Sequence, residues 1–455
     1  MCSIGVDTPF AMGYNNKVGF YPTKNEREAH FMIDINLIRS DKAAVDAALR
    51  KRGVNADLDG ILKLDGERRD IIGRTEALKA EKNKVSAEIP KLKKSGQPVE
   101  HIFAKMRELG DEIAKNDGAL KEVEDRLRTE LLCLPNMPDD DVVAGEKEQN
   151  AVIKVWGKKP EFDFPIKNHV ELCESLKLID YERGVKLAGN GSWLYTGRGA
   201  VLEWAMLNYF IKTHLKDGYT FILPPHMLNY ECGLGAGQFP KFEDDVYRIE
   251  TAEGGAARRF LLPTAETALV NLYRGEILQE SELPKKLFAY TPCYRKEAGS
   301  YRAEERGMIR GHQFDKVEMV QVTTPDQSKA AFEELVNKAC ALVEGLGLHY
   351  RLSKLAAGDC SASMARTYDI EVWIPSMGIY KEVSSVSNAN DYQARRNMTR
   401  YRGADGKIGY VHTLNGSGLA TSRIMPAIVE QNQNADGSVT VPEVLREFVG
   451  TDVLR

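Results

Sequence analysis

The 455-residue chain contains no apolar run of about 18 residues, so nothing in it reads as a transmembrane helix. Its first 31 residues lack the apolar centre of a signal peptide. Asp7, Glu26 and Glu28 against three basic residues there also argue against a transit peptide. No CxxC pair occurs. The seven cysteines, at 2, 133, 173, 232, 293, 340 and 360, are odd in number and scattered. That excludes a disulfide framework or a zinc ribbon and fits reduced thiols in a cytoplasm. There is no GxxxxGK[ST], no GxGxxG and no HExxH, which leaves P-loop, Rossmann and zincin sites without support. Basic excess is missing too. The net charge is −4, so a nucleic-acid partner must be met by a local patch. What remains, 43% hydrophobic and 28% charged residues, is enough for a sizeable core. At roughly 100–200 residues per domain, two to four domains are expected.

Composition divides the chain near residue 140. Residues 57–132 hold no Phe, Tyr or Trp except Phe103 and are rich in Lys, Glu, Arg and Leu. Leu64, Ile71, Leu78, Val85 and Leu92 recur at seven-residue spacing. After Ser95-Gly96-Gln97-Pro98 the pattern resumes at Ile102, Met106, Leu109, Ile113, Asn116, Leu120, Val123 and Leu127. These gaps alternate four and three, a 3.5-residue repeat, and the tetrapeptide is a turn signal. Two helices of about 35 residues then form an antiparallel coiled-coil hairpin, an arm roughly 50 Å long. Such a hairpin cannot bury a globular core and must project from a body. Its outer end carries Lys79, Lys82, Lys84, Lys91, Lys93 and Lys94, either a solvated face or a finger for phosphates. Pro90 should kink the first helix or end it early. Asn116 at a core position can fix register. Ile33 to Arg39 and Ala43 to Arg52 suggest a small helical segment, and Leu134 to Asp141, with two prolines, a linker.

Beyond about residue 150, helical pieces (Arg198 to Leu215, Gln327 to Leu346) interleave with strands at Thr220 to Pro224, Leu287 to Tyr294, Gln313 to Val322, Asp369 to Ile374 and Ile408 to Thr413. Hairpin-like neighbours point to an antiparallel sheet with helices on one side, an α+β body. Four polar constellations stand out. They are Thr264-Ala265-Glu266; Tyr294 to Ser300 with His312 to Glu318; Lys381 to Ser385; and Asn415-Gly416-Ser417-Gly418 followed by Arg423. In a strand, His312, Phe314, Lys316 and Glu318 share one face, an unusually charged one. Glycines around Asn415 and Ser417 let backbone approach a ligand closely, although alone they would read as an ordinary loop.

Together and in this order these segments resemble seryl-tRNA synthetases of the bacterial and eukaryotic type, a class II aminoacyl-tRNA synthetase family. The resemblance runs from about Met32 to the C-terminus. It includes the arm, Gly218-Tyr219 to Pro224-Pro225 as motif 1, Asn229 to Phe242, Thr264 to Glu266, Cys293 to Glu318 as motif 2, Gln393 to Arg396, and Asn415 to Arg423 as motif 3. It implies a homodimeric, cytoplasmic ligase that forms seryl-adenylate from serine and ATP and transfers the seryl group to tRNA(Ser), and to tRNA(Sec) where present. Three segments are implied: an N-terminal extension over 1–31, loosely docked or mobile; a tRNA-binding domain over 32–140 with its arm at 57–132; and a class II catalytic domain over 141–455.

The resemblance also implies roles. Arg295 bridges the serine carboxylate and the α-phosphate, and Arg423 holds the γ-phosphate side of a bent ATP; a guanidinium fork suits such anions. Glu382, with these two arginines, completes the catalytic set. Phe314 stacks on adenine with Arg423 on the other face, and Glu297 reads the adenine amino group. Lys296, Gly311, His312, Gln313, Val383, Ser384 and Ser385 complete the ATP site. Glu382 and Ser385 form the Mg²⁺ site, with oxygen ligands suited to a hard ion. A regular strand would send those two to opposite faces, so a bulge is required there. Thr264, Ala265, Glu266, Arg295, Glu318, Asn415 and Ser417 form the serine pocket. A site built around a substrate hydroxyl can reject alanine by roughly 10⁴–10⁵.

Departures from the family pattern are Arg302 to Glu305 in the motif 2 loop, Thr421-Ser422 before the motif 3 arginine, Pro426 after it, and Ser385-Val386-Ser387-Asn388. None removes an implied ligand. Two rival readings are a diverged synthetase-like protein with an altered acceptor or lost charging, and a coiled-coil scaffold. The first conflicts with the retained arm and complete pocket. The second has no need for Thr264, Glu266, Arg295, Glu318 and Arg423 together.

Overall fold

The computed structural model describes residues 33–249, 258–297 and 307–455. The N-terminal extension and the Arg302 to Glu305 departure lie outside the described residues.

The chain enters through two short helices, α1 (Ile35–Ser40) and α2 (Lys42–Lys51), each opened by an aspartate side chain. Asp34 accepts from Asn36 N at 2.8 Å and Asp41 from Ala44 N at 3.0 Å, satisfying amides that a helix start leaves unpaired. The arm follows as α3 (Leu58–Lys94) and α4 (Glu100–Cys133). The 3.5-residue pattern is seen in its seam. Ile61, Leu64, Ile71, Leu120, Val123, Leu127 and Leu131 pack with α1 and α2 at the base, while Val85, Ile102 and Leu109 form a separate apolar cluster farther out. Pro90 does not end α3, which runs on to Lys94. The carbonyl that proline leaves without a donor belongs to Ser86, which is exposed, so the missing bond is left to solvent.

The expected linker is a clamp instead. Asn136 donates through its backbone to Ala362 O at 2.7 Å and through its side chain to Ser363 O at 3.0 Å and Ala389 O at 2.8 Å. Just before it in space, the buried Arg52 guanidinium donates to Ala357 O, Cys360 O, Ser361 O and Met364 O. A cation taken out of water needs that many acceptors, and they fix the base of the arm to the body.

The body is built on an eight-stranded sheet. Its strands are β1 (Ala151–Trp156), β2 (Thr220–Ile222), β3 (Lys285–Tyr294), β4 (Gln313–Thr323), β5 (Tyr350–Lys354), β6 (Arg366–Ile374), β7 (Ile379–Asn388) and β8 (His412–Ala420). They lie in the order β1-β5-β6-β7-β8-β4-β3-β2. All pairs are antiparallel except β2 with β3. Long helices α5 (Gly197–Lys216) and α6 (Pro325–Gly345), with α8 (Thr421–Gln431), cover one face through Leu202, Phe210, Leu335, Ile424 and Ile428 against Val317, Met319, Ile370 and Leu414. On the other face Ala265, Leu269 and Ala394, the last from the short helix α7 (Tyr392–Asn397), cover Val320 and Val322. The polar ends of β4, β7 and β8 are left over on that face, and there the site forms.

Ile408 to Thr413 is not one strand. Ile408–Tyr410 belongs to a separate three-stranded sheet, and β8 begins at His412 and carries Asn415 to Gly418 in its middle. The glycines serve close packing: a Cβ on Gly418 would lie 2.4 Å from His214 Nε2.

Candidate active site

Two bulges aim the site. Opposite β4, Lys316 pairs with Ala420 and Glu318 with Ser417, so β8 holds one residue more than its partner. Leu419 sits there at φ +83°, a conformation costly for a branched side chain. On β7, Glu382 pairs with Glu371 and Ser385 with Asp369, so β7 gains a residue and Glu382 and Ser385 share a face. That is the bulge their spacing requires.

A cavity of about 80 Å³ lies where these strands meet α8, lined among others by Arg295, Glu297, Phe314, Lys316, Glu382, Ser417 and Arg423. An adjoining cavity of about 900 Å³ shares Arg310, Glu382 and Arg423 and adds Ser385, Asp369 and Arg351. Arg295 donates to Pro263 O at 3.2 Å and lies over the Phe314 ring, 5.1 Å from its centroid. Glu297 accepts from Arg310 at 2.6 Å. Arg423 donates to Glu382 O at 2.8 Å and lies 3.2 Å from its carboxylate.

Deeper in, Thr264, Glu266, Glu318, Asn415 and Ser417 are buried together. Lys316 joins them, donating to Thr264 Oγ1 at 2.7 Å and pairing with the Glu318 carboxylate. Glu266 Oε1 accepts from Gln393 Nε2 at 2.8 Å, and Gln393 is itself held by Ala236 O and Thr413 Oγ1. Burial, and after it the nearby Glu318 charge, pushes the Glu266 carboxyl up to about 7. Asn415 Nδ2 lies 3.5 Å from Glu318 Oε1.

The donors suited to a hard cation also converge. Ser385 Oγ donates to Asp369 Oδ1 at 2.6 Å, and Ser385, Asp369 and Glu382 line the larger cavity together. Burial, then the Glu382 charge, raises the Asp369 carboxyl well above the usual range.

Not every expected residue reaches the cavity. Ser384 is buried with its hydroxyl on Ser417 O at 2.7 Å. Ala265 is in the core and offers only backbone. Gln313 is exposed, His312 turns Nδ1 to Arg295 O at 3.2 Å, and the Lys296 amide donates to Asp245 O at 3.0 Å. Gly311, where a Cβ would meet Trp193 at 2.1 Å, and Val383 do line the cavity wall. Sequence reasoning passed over Lys316, Gln393, Asp369 and Arg310 as site residues. For Lys316 a signal existed in the strand alternation; the others depend on contacts across the fold.

Two families of known proteins match the chain: the seryl-tRNA synthetase N-terminal domain over residues 32–138, and the tRNA synthetase class II core domain (G, H, P, S and T) over residues 247–432. Serine--tRNA ligase 2 of Clostridium acetobutylicum is 60% identical over 93% of this chain and all of its own length. Serine--tRNA ligase of Staphylococcus haemolyticus is 46% identical over 92% of this chain and 98% of its own. Among solved structures, seryl-tRNA synthetase from Pyrococcus horikoshii complexed with ATP superposes with a TM-score of 0.85 at 33% identity, covering 93% of this chain and 99% of that one.

Proposed function

The chain belongs to the seryl-tRNA synthetase family, and from that premise we propose how its own residues carry out the reaction. It is a serine--tRNA ligase. The carboxylate oxygen of serine attacks the α-phosphorus of ATP and pyrophosphate leaves. A ribose hydroxyl at the tRNA end then attacks the seryl carbonyl and AMP leaves. The first step brings two anions together, so placement and charge neutralisation dominate over proton transfer.

The reading rests above all on the convergence of Arg295, Glu297, Phe314, Glu382, Ser417 and Arg423 around one cavity. Arg295 bridges the serine carboxylate and the α-phosphate, adenine stacks on Phe314 with Arg423 on its other face, and Arg423 holds the distal phosphates. Glu297, on the cavity wall, reads the adenine edge. Glu266 and Glu318 receive the serine ammonium and hydroxyl, with Thr264, Asn415 and Ser417. Glu382 and Ser385 would hold Mg²⁺, which when bound supplies further positive charge against the phosphates. The oxygen-only donor set on one face supports that choice.

The arm, with Lys91, Lys93 and Lys94 exposed at its tip, contacts tRNA(Ser), and tRNA(Sec) where that tRNA exists. Residues 32–140 then act as the tRNA-binding domain and 141–455 as the catalytic one. Val201, Trp204, Leu215, Leu223 and Met227, exposed on α5 and around β2, support a homodimer across motif 1. Reduced, scattered cysteines support a cytoplasmic site of action, and no helix among the described residues is long and apolar enough to cross a membrane. Serine-dependent ATP–pyrophosphate exchange, with charging of a tRNA that has a long variable arm, tests the whole. Exchange that ignores serine, or exchange without charging, would overturn it. A monomer mass by sedimentation at active concentrations would remove the dimer.

A further inference from the structure

We propose that Lys316 sets the hydrogen-bond polarity of the serine pocket by making Thr264 an obligatory donor. The proposal deepens the ligase reading and rests on it. Lys316 lies on β4 two residues before Glu318, on the same face, and is only 6% exposed. Its ammonium sits 2.7 Å from Thr264 Oγ1 and pairs with the Glu318 carboxylate. Thr264 Oγ1 also accepts the Glu266 backbone N–H at 3.2 Å.

An ammonium and a backbone amide can only donate, and a hydroxyl oxygen has two lone pairs. Both lone pairs of Thr264 are therefore taken. Its single O–H has one role left, which is to donate, and no protein acceptor takes it among the described residues. A free threonine hydroxyl would rotate and serve either way. Here it is locked.

On the other side of the same ammonium, the Glu318 carboxylate can only accept. A fixed donor, set by the lysine, thus stands beside a group that can only accept. A hydroxyl accepts from the first and gives to the second at once. The alanine methyl does neither and leaves both buried groups unpaired, and a thiol is weak in both roles. Lys316 is in this sense a positioning residue: it acts on the substrate side chain through Thr264.

The test uses the full chain in ATP–pyrophosphate exchange, with serine and alanine as alternative substrates. Wild-type exchange with serine examines the ligase reading alone; its absence would sink that reading whatever the variants do. Given that activity, Lys316→Met should raise the serine KM by about 30-fold or more, leave the ATP KM within about threefold, and cut the serine-over-alanine ratio of kcat/KM by about tenfold or more. Lys316→Gln, whose amide restores a donor, should recover part of the ratio. Thr264→Val with Lys316→Met should lose little more than Thr264→Val alone, because the lysine works through the threonine. Losses that multiply in the double variant would overturn the proposal. So would an unchanged serine-over-alanine ratio in Lys316→Met, or serine and ATP KM rising together with a lowered melting temperature.

Discussion

Replacing Glu266 by glutamine separates charge from shape in the serine pocket. The side chain is 8% exposed, and its Oε1 accepts from Gln393 at 2.8 Å, a bond an amide oxygen can also accept. The carboxyl is displaced from 4.5 to about 7, chiefly by burial and next by Glu318. That displacement corresponds to about 3 kcal/mol. An unfolded chain loses this proton near pH 4.5, while the folded chain keeps it until near pH 7. Between those values the folded state binds more protons, so stability falls as pH rises, and the full cost is present above about pH 7. Glu266→Gln should therefore melt like wild type at about pH 5 and be more stable by up to about 3 kcal/mol at pH 8. Serine binding runs the other way, since its ammonium favours the ionised carboxyl. Wild-type kcat/KM for serine should fall as pH drops below about 7, approaching tenfold per pH unit, and reports the free enzyme. In Glu266→Gln the profile should be flat. Its value at pH 8 should be lower by roughly 10- to 100-fold, the loss of a charge-assisted bond of about 1.5–3 kcal/mol. Pyrophosphate exchange from about pH 5.5 to 8.5 and thermal melts from about pH 5 to 8.5 measure both. A wild-type profile that is flat between pH 6 and 8, or a glutamine variant that keeps the bend, would refute the reasoning.

Arg295→Ala should cost about 3 kcal/mol or more of transition-state stabilisation, read as a fall in exchange activity of two orders of magnitude or more. Removing the outer arm from Lys79 to Asp117 spares the base, where Leu64, Ile71, Leu120 and Leu127 pack with α1 and α2. It should keep exchange and abolish tRNA charging. Changing Lys91, Lys93 and Lys94 to alanine should flatten the salt dependence of tRNA binding by up to about three in slope, with lost affinity and unchanged exchange. Gly418→Ala drives a methyl to 2.4 Å from buried His214 and 3.1 Å from Val317, and should lower stability by about 1–3 kcal/mol in denaturant unfolding.

Much of the site can be read from local pattern. The seven-residue spacing from Leu64 to Leu92 carries the arm, because a helix repeats its faces in a fixed number of residues. The alternation Phe314, Lys316, Glu318 carries the charged strand face. The three-residue step from Glu382 to Ser385 demands the bulge that β7 contains. Other features are invisible at short range. Asn415 to Gly418, taken alone, reads as an ordinary loop because glycine is a frequent turn residue. In the fold those glycines lie within β8, where a Cβ on Gly418 would clash with His214 and one on Gly416 would press on Val386. Leu134 to Asp141 looked like a linker because prolines interrupt it, yet carbonyls more than two hundred residues away hold Asn136. Lys316 and Thr264 are 52 residues apart, and the fixed polarity of the threonine exists only once β4 brings the ammonium to it. Covalent geometry repeats along the chain and writes periodicity into the sequence. Which lone pair is taken, and by what, depends on groups that meet only when the sheet closes.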